Sequence, residues 1–339
     1  MVTEIQNVPA IPALTRKDFV PPNEVRWCPG CGDYAILNSL QRTFPELGVK
    51  RENFAIISGI GCSSRFPFYM DTYGFHTIHG RAPSVATGVK IANPDLSVWI
   101  ITGDGDGLSI GGNHLLHLLR RNLNVNVLLF NNRIYGLTKG QYSPTSPLGT
   151  RTKTSPSGSL EHPLNPLLFA LGAEATFVAR TIDNNPKHMV ETFKAAHAHN
   201  GVSFIEIFQN CVIFNDATWD SVYGKENRTD QMLFLEEGKP LLFGKDKSKG
   251  IRLNGLTPEV VDATAEGILI HQPDHPSPLY AHMLATLGLP DFPTPVGVIR
   301  KTETPSYDSL VDAQMSKAAK KGPGTWHELL HGDATWTVE

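Results

Sequence analysis

The chain has 339 residues, 40% of them hydrophobic, with 30 basic against 33 acidic side chains and a net charge of −3. A chain of this length can bury about three quarters of its unfolded surface as one large domain, and the near-neutral charge gives no reason to expect a nucleic-acid partner. No run approaches the ~18 apolar residues of a membrane span, and the start carries no charged then apolar leader, so a reducing cytoplasmic setting is expected rather than export.

Residues 1–24 read as an N-terminal arm. Cys28-Pro-Gly-Cys31 follows, and Phe54 to Ser58 is a strand-like run leading into Gly59-Ile60-Gly61-Cys62. The short run Gly74 to Ile78 precedes His79-Gly80-Arg81. Val98 to Thr102 and Val125 to Phe130 are β-branched and aromatic runs that read as buried strands. Between them, Ser109 to Arg121 carries Ile110, Leu115, Leu118 and Leu119 at helical spacing, with Arg120 and Arg121 at the negative end of the helix dipole. The 33 residues from Val98 to Phe130 have the length of a strand–helix–strand crossover, which makes the two strands parallel neighbours. Arg151 to Ser159 is a polar loop, expected to be a lid or a partner contact. Asp183 to Asn200 reads as a helix and Ser203 to Phe208 as a strand ending before Cys211. Beyond Val222 the chain turns Pro-rich and charged, with helices expected at Pro258 to Ile270 and Leu310 to Lys321. The expected division is an arm at 1–24, a domain at 25–222 and a C-terminal extension at 223–339 that contacts another subunit.

Gly103-Asp104-Gly105 ends one parallel strand and Asn131-Asn132 ends the next. Neighbouring strands lie roughly 5 Å apart, so a carboxylate at Asp104 and a carboxamide at Asn132 can share one hard, oxygen-seeking cation such as Mg²⁺. Glycines 103, 105 and 107 let the backbone approach a diphosphate, and the helix expected from Ser109 offers unpaired N–H groups. The bland alternative is a tight turn followed by a loop start. A dinucleotide site at Gly59-Ile60-Gly61 is the nearest rival, but Ser64 stands where its third glycine belongs.

Of the four cysteines, Cys62 and Cys211 fall a few residues past strands, at this same sheet edge, and Cys28 and Cys31 form a C-x-x-C that could gather there with them. Four thiolates bind either Zn²⁺ or a [4Fe–4S] cluster. Two disulfides are a third reading, disfavoured in a reducing compartment, and unassociated buried thiols a fourth. One C-x-x-C joined by two distant single cysteines is less like paired zinc knuckles.

The ordered motifs Trp27-Cys-Pro-Gly-Cys-Gly-Asp33, Gly61-Cys-Ser-Ser-Arg65, His79-Gly-Arg-Ala82, Gly103-Asp-Gly-Asp106, Asn131-Asn132 and Ile134-Tyr-Gly-Leu-Thr-Lys-Gly-Gln141 resemble the thiamine diphosphate-binding β subunits of 2-oxoacid:ferredoxin oxidoreductases, the 2-oxoglutarate enzymes above all. The resemblance runs from about Val25 to Asn215. It implies an α/β fold, a parallel-sheet thiamine diphosphate-binding fold with helices on both faces, plus a C-terminal extension. It implies that Asp104, Asn132 and the Ile134 carbonyl hold Mg²⁺, and that Cys28, Cys31, Cys62 and Cys211 hold one [4Fe–4S] cluster. Gly61, Cys62, Ser63, His79, Gly103, Asp104, Gly105, Asp106, Asn132, Ile134, Gly136 and Leu137 would then surround thiamine diphosphate.

The implied reaction is oxidative decarboxylation of a 2-oxoacid with coenzyme A, giving succinyl-CoA from 2-oxoglutarate and passing single electrons to ferredoxin. His79 is a candidate donor to the substrate carboxylate, and Arg65 and Lys139 are candidates for the distal carboxylate of a dicarboxylic substrate, since an arginine fork matches a carboxylate. Solvated loop charges are the alternative for all three. No glutamate lies within these motifs to activate the aminopyrimidine, so the resemblance implies an α-subunit partner that supplies it, in a dimer of αβ heterodimers. A pyruvate or broad-specificity enzyme, a non-oxidative thiamine decarboxylase or carboligase with structural zinc, and a non-catalytic scaffold remain the alternatives.

Overall fold

The computed structural model describes residues 14–338. Among them thirteen strands form in chain order: β1 Phe54–Ser58, β2 Tyr73–His76, β3 Ser97–Gly103, β4 Asn126–Asn131, β5 Ile134–Tyr135, β6 Gln141–Tyr142, β7 Phe177–Ile182, β8 Ser203–Phe208, β9 Met232–Phe234, β10 Leu242–Phe243, β11 Lys249–Asn254, β12 Thr257–Asp262 and β13 Thr294–Lys301. Eight of them make one sheet in the order β2-β1-β3-β4-β8-β7-β13-β9. β3 and β4 are parallel neighbours, as the crossover length predicts, and β1 and β8 flank them in the same direction.

Both faces of the sheet are covered, so the central strands are buried along their whole length. Alternate residues divide between two cores. Ala55, Ile57, Val98 and Ile100 point into one, with the helices Ala82–Ala92, Gly112–Arg120 and Pro278–Thr286 behind them. Phe54, Ile56, Trp99 and Ile101 point into the other, packed by the helices Asp33–Thr43 and Pro186–His197. Phe44 and Phe54 stack at 4.1 Å in that second core, and Phe19 meets both rings edge-on. Part of the expected N-terminal arm is therefore core; residues 1–13 of it lie outside the described residues.

Three expectations are corrected. The helix expected from Ser109 to Arg121 starts later, as Gly112–Arg120, and a separate unexpected helix, Asp104–Leu108, precedes it, because Ser109 leaves helical geometry (φ −93°, ψ −103°). The first turn at the sheet edge thus begins on Asp104 itself. Pro258 to Ile270 is not a helix: β11 and β12 form an antiparallel hairpin closed at Asn254↔Thr257, with Gly255 at φ +63° in its two-residue turn. The boundary at residue 222 does not coincide with an edge of the fold, since β13 lies between β7 and β9 in the main sheet. The helix expected at Leu310 to Lys321 is present as Tyr307–Ala319. The polar 151–159 loop closes on itself through the Gly149 N–H to the Ser159 carbonyl and the Ser159 N–H to the Thr150 carbonyl.

Candidate active site

The parallel direction of β1, β3, β4 and β8 carries Gly61, Asp104, Asn132 and Cys211 to one edge of the sheet. There a cavity of about 60 Å³ is lined by Gly61, Cys62, Ser63, His79, Gly103, Asp104, Gly105, Asp106, Asn132, Ile134, Gly136 and Leu137. Gly107, also expected at the diphosphate, is not in that wall and packs against Thr102 and Leu129 instead; every residue that the resemblance sets around thiamine diphosphate is in it. Ile60, Tyr135 and Thr138 join them, and the sequence reading did not single them out.

Asp104 is buried, and burial pushes its carboxyl above the usual range, offset in part by hydroxyl donors. Ser143 Oγ and Thr145 Oγ1 both donate to Asp104 Oδ2 at 2.5 Å. Thr145 Oγ1 also lies 3.0 Å from Asn131 Oδ1, so its one hydroxyl hydrogen is shared between the two acceptors, and Asn131 Nδ2 donates to Glu206 Oε1 at 2.7 Å. Asn131 therefore anchors the pair while Asn132 faces the cavity. Asn132 Oδ1 accepts from the Ile134 N–H at 3.2 Å, shaping the turn that brings both near Asp104.

Asp106 lines the cavity but is spent on structure. Its Oδ1 accepts from the Ile60 and Gly80 amides at 3.2 and 2.8 Å, and its Oδ2 from Thr102 Oγ1 at 2.7 Å. One carboxylate thereby pins two loops to the end of β3. Gly105 is covered by Tyr135, where a Cβ would stand 2.3 Å from the ring. A Cβ on Gly61, whose φ is +130°, would instead project into open space, leaving its backbone free to meet a ligand.

A second cavity, about 200 Å³, is lined by Cys28, Cys31, Cys62 and Cys211 together with Trp27, Arg65, Lys139 and Gln209. All four thiols are free. A Cβ on Gly136 would stand 3.7 Å from Cys211 Sγ and 3.8 Å from Cys62 Sγ, so these two sulfurs face the same backbone. Trp27 Nε1 donates to the Cys62 carbonyl at 2.7 Å, and the Gly32 amide donates to the Asn210 carbonyl, tying the C-x-x-C turn to the segments holding the other cysteines. Burial pushes the Cys31 thiol up, and the Cys62 thiol up to about 11. Among the described residues no three His, Cys, Asp or Glu side chains are gathered tightly enough for one ion; the thiols stand around a space. Arg65 and Lys139 border this second cavity rather than the Asp104 cavity, with Arg65 Nη1 donating to the Arg26 carbonyl at 2.9 Å. Cys62, Asn132, Gly136 and Leu137 belong to both walls.

A family profile for the thiamine pyrophosphate enzyme C-terminal TPP-binding domain matches residues 59–207, the segment that builds this edge. The 2-oxoglutarate oxidoreductase subunit KorB of Mycobacterium tuberculosis is 50% identical over 330 residues, which cover 95% of this chain and 88% of that subunit. The chain belongs to the 2-oxoacid:ferredoxin oxidoreductase β subunits. As such it is the thiamine-site component of an oxidoreductase. The β subunit of 2-oxoacid:ferredoxin oxidoreductase 2 from Aeropyrum pernix is 47% identical over 199 residues, 59% of this β subunit and 64% of that one. The 2-oxoglutarate:ferredoxin oxidoreductase from Magnetococcus marinus, solved with 2-oxoglutarate, coenzyme A and succinyl-CoA bound, superposes with a TM-score of 0.78 at 35% identity, covering 96% of this β subunit and 98% of that chain. Among the described residues of this β subunit no helix is long and apolar enough to cross a membrane.

Proposed function

We propose that this β subunit, with an α subunit, oxidatively decarboxylates 2-oxoglutarate with coenzyme A, yielding succinyl-CoA and CO₂ and reducing ferredoxin. The observation that carries the reading is the shared wall: a cavity of oxygen donors and a cavity of four thiols separated by Cys62, Asn132, Gly136 and Leu137. The Asp104 carboxylate, the Asn132 carboxamide and the Ile134 carbonyl form the oxygen-rich set that Mg²⁺ takes together with phosphate oxygens. A cation there also answers a buried carboxylate whose side-chain donors are two neutral hydroxyls. Four thiols around a space suit a [4Fe–4S] cluster better than one zinc ion, whose sulfur ligands all lie within about 2.3 Å of the metal. Bound in these cavities, thiamine diphosphate supplies the electron sink for decarboxylation and the cluster a one-electron acceptor.

The protein's own part is positional. Ser143 and Thr145 hold Asp104, and Asp106 holds the Ile60 and Gly80 loops against it. His79 is exposed at the cavity mouth, where it can donate to a substrate carboxylate or carbonyl. Arg65 and Lys139 line the thiol cavity one wall away; the role proposed for them is to take the distal carboxylate of a dicarboxylic 2-oxoacid, which an arginine fork matches. Among the described residues no glutamate lines the Asp104 cavity, which fits an activating glutamate donated by the α subunit. Exposed Leu310, Met315, Trp326, Leu329 and Leu330 support a subunit-contact role for the end of the chain; the assembly proposed is a dimer of αβ pairs, in the cytoplasm.

Anaerobic purification of the αβ complex, followed by iron, sulfide, zinc and thiamine diphosphate analysis on one sample, tests this. Four irons and one thiamine per β chain, with ferredoxin reduction on 2-oxoglutarate, support it. Zinc with thiamine moves the chain to the non-oxidative enzymes, and faster turnover of pyruvate refutes the substrate.

A further inference from the structure

Gln209 stands one residue past β8, is buried, and joins the two halves of the site. Its Oε1 accepts from Asn132 Nδ2 at 2.8 Å. Its Nε2 donates to Cys31 Sγ at 3.3 Å and to the Asn210 carbonyl at 2.6 Å. Its backbone N–H donates to the Asn131 carbonyl at 3.0 Å, so the main chain is held as well.

The direction of this relay is fixed from both ends. The Ile134 amide can only donate, so the atom it meets at 3.2 Å is Asn132 Oδ1, and Asn132 Nδ2 must point to Gln209. The Asn210 carbonyl can only accept, so the atom facing it is Gln209 Nε2. Turning over either carboxamide would set donor against donor or acceptor against acceptor.

We propose that Gln209 is a positioning residue that couples the diphosphate side of the site to the thiol side, orienting Asn132 toward the cation and donating a hydrogen bond to the Cys31 sulfur. This rests on the assignment of Asn132 to magnesium and Cys31 to the cluster made above. By tying up Nδ2, Gln209 leaves Oδ1 as the Asn132 atom that can face a metal, with one lone pair toward the Ile134 N–H and the other open; partners of this kind govern the orientation and affinity of direct ligands. A hydrogen bond to a cluster sulfur draws charge from it and eases reduction of the cluster. Glutamine alone among the near-isosteres does both. A glutamate could still accept from Asn132 but has no N–H for Cys31, and a leucine can do neither.

The test compares wild type, Gln209→Glu and Gln209→Leu as anaerobic αβ complexes, by iron and thiamine content, by an EPR-monitored redox titration, and by the Mg²⁺ concentration needed to retain thiamine diphosphate. Gln209→Glu is expected to shift the cluster midpoint to a more negative potential while keeping a near wild-type Mg²⁺ requirement. Gln209→Leu is expected to show the same direction of shift and about a 10-fold higher Mg²⁺ requirement. A midpoint that does not move in either variant, or an unchanged Mg²⁺ requirement in Gln209→Leu, overturns the proposal. Should Gln209→Leu fail to assemble, the Gln209→Glu midpoint decides. Wild type without iron refutes the cluster assignment and the coupling with it, whereas iron-loaded wild type with unshifted variants refutes the role of Gln209 alone.

Discussion

Thr145 shows how the site depends on residues that touch no ligand themselves. Its hydroxyl serves both Asp104 and Asn131, at 2.5 and 3.0 Å. Thr145→Val keeps the shape and removes both bonds, and is expected to weaken Mg²⁺ binding about 10- to 100-fold with little change in fold, measured by Mg²⁺ titration of thiamine retention. Arg65 bears on selectivity: Arg65→Val should raise KM for 2-oxoglutarate and spare pyruvate, and equal losses on both substrates would remove it from the distal-carboxylate role. The proposed ligands Asp104, Asn132, Cys62 and Cys211 were legible in the sequence because they sit in short motifs just past strand ends. Ser143, Thr145 and Gln209 were not, since a hydroxyl or carboxamide in a loop carries no periodic signal and gains its meaning only from what the fold sets beside it. For Gln209, its place two residues before Cys211 was the available hint.

Strands were legible wherever burial on both faces left an unbroken apolar run, as in β1, β3 and β4. The hairpin of β11 and β12 was missed because Thr257-Pro258 imitates a helix start, while the Asn254-Gly255 turn signal and the paired valines of Val260-Val261 argue for strand. The interrupted helix after β3 matters more. A Cβ on Gly111 would stand 2.5 Å from the Asp106 carbonyl oxygen and 2.8 Å from Gly80 Cα, so the break brings the next helix directly against the His79–Arg81 turn. Gly111→Ala must push these backbones apart, with an expected loss of about 1–3 kcal/mol in denaturant unfolding and poorer thiamine retention. An unchanged midpoint of unfolding would show that the turn yields freely.

At the scale of the whole molecule, buried imidazoles set an acid limit. Burial, then Lys301, holds His199 below the ordinary 6.5, while its Nε2 pairs with Thr176 Oγ1 at 2.7 Å. The unfolded chain takes up that proton near pH 6.5 and the folded chain resists it, so this contribution is present above 6.5 and is lost as pH falls through the depressed folded value. His199→Gln should therefore unfold with a flatter pH dependence below 6.5 than wild type, as followed by thermal melts. The C-terminal third was the least legible part, because its composition marks it as an appendage while its strand β13 closes the main sheet between β7 and β9. That placement has a consequence for how the polypeptide is made. Every cysteine and every residue of the oxygen cavity has been synthesised by residue 211, yet the open side of β7 waits for residues 294–301. A nascent chain passes through a stage at which its chemistry is encoded and its sheet still offers an unpaired edge to neighbouring chains. A chain ended at residue 222 should consequently recover from the ribosome as aggregate, and a soluble monodisperse product would show that β7 is shielded by other means.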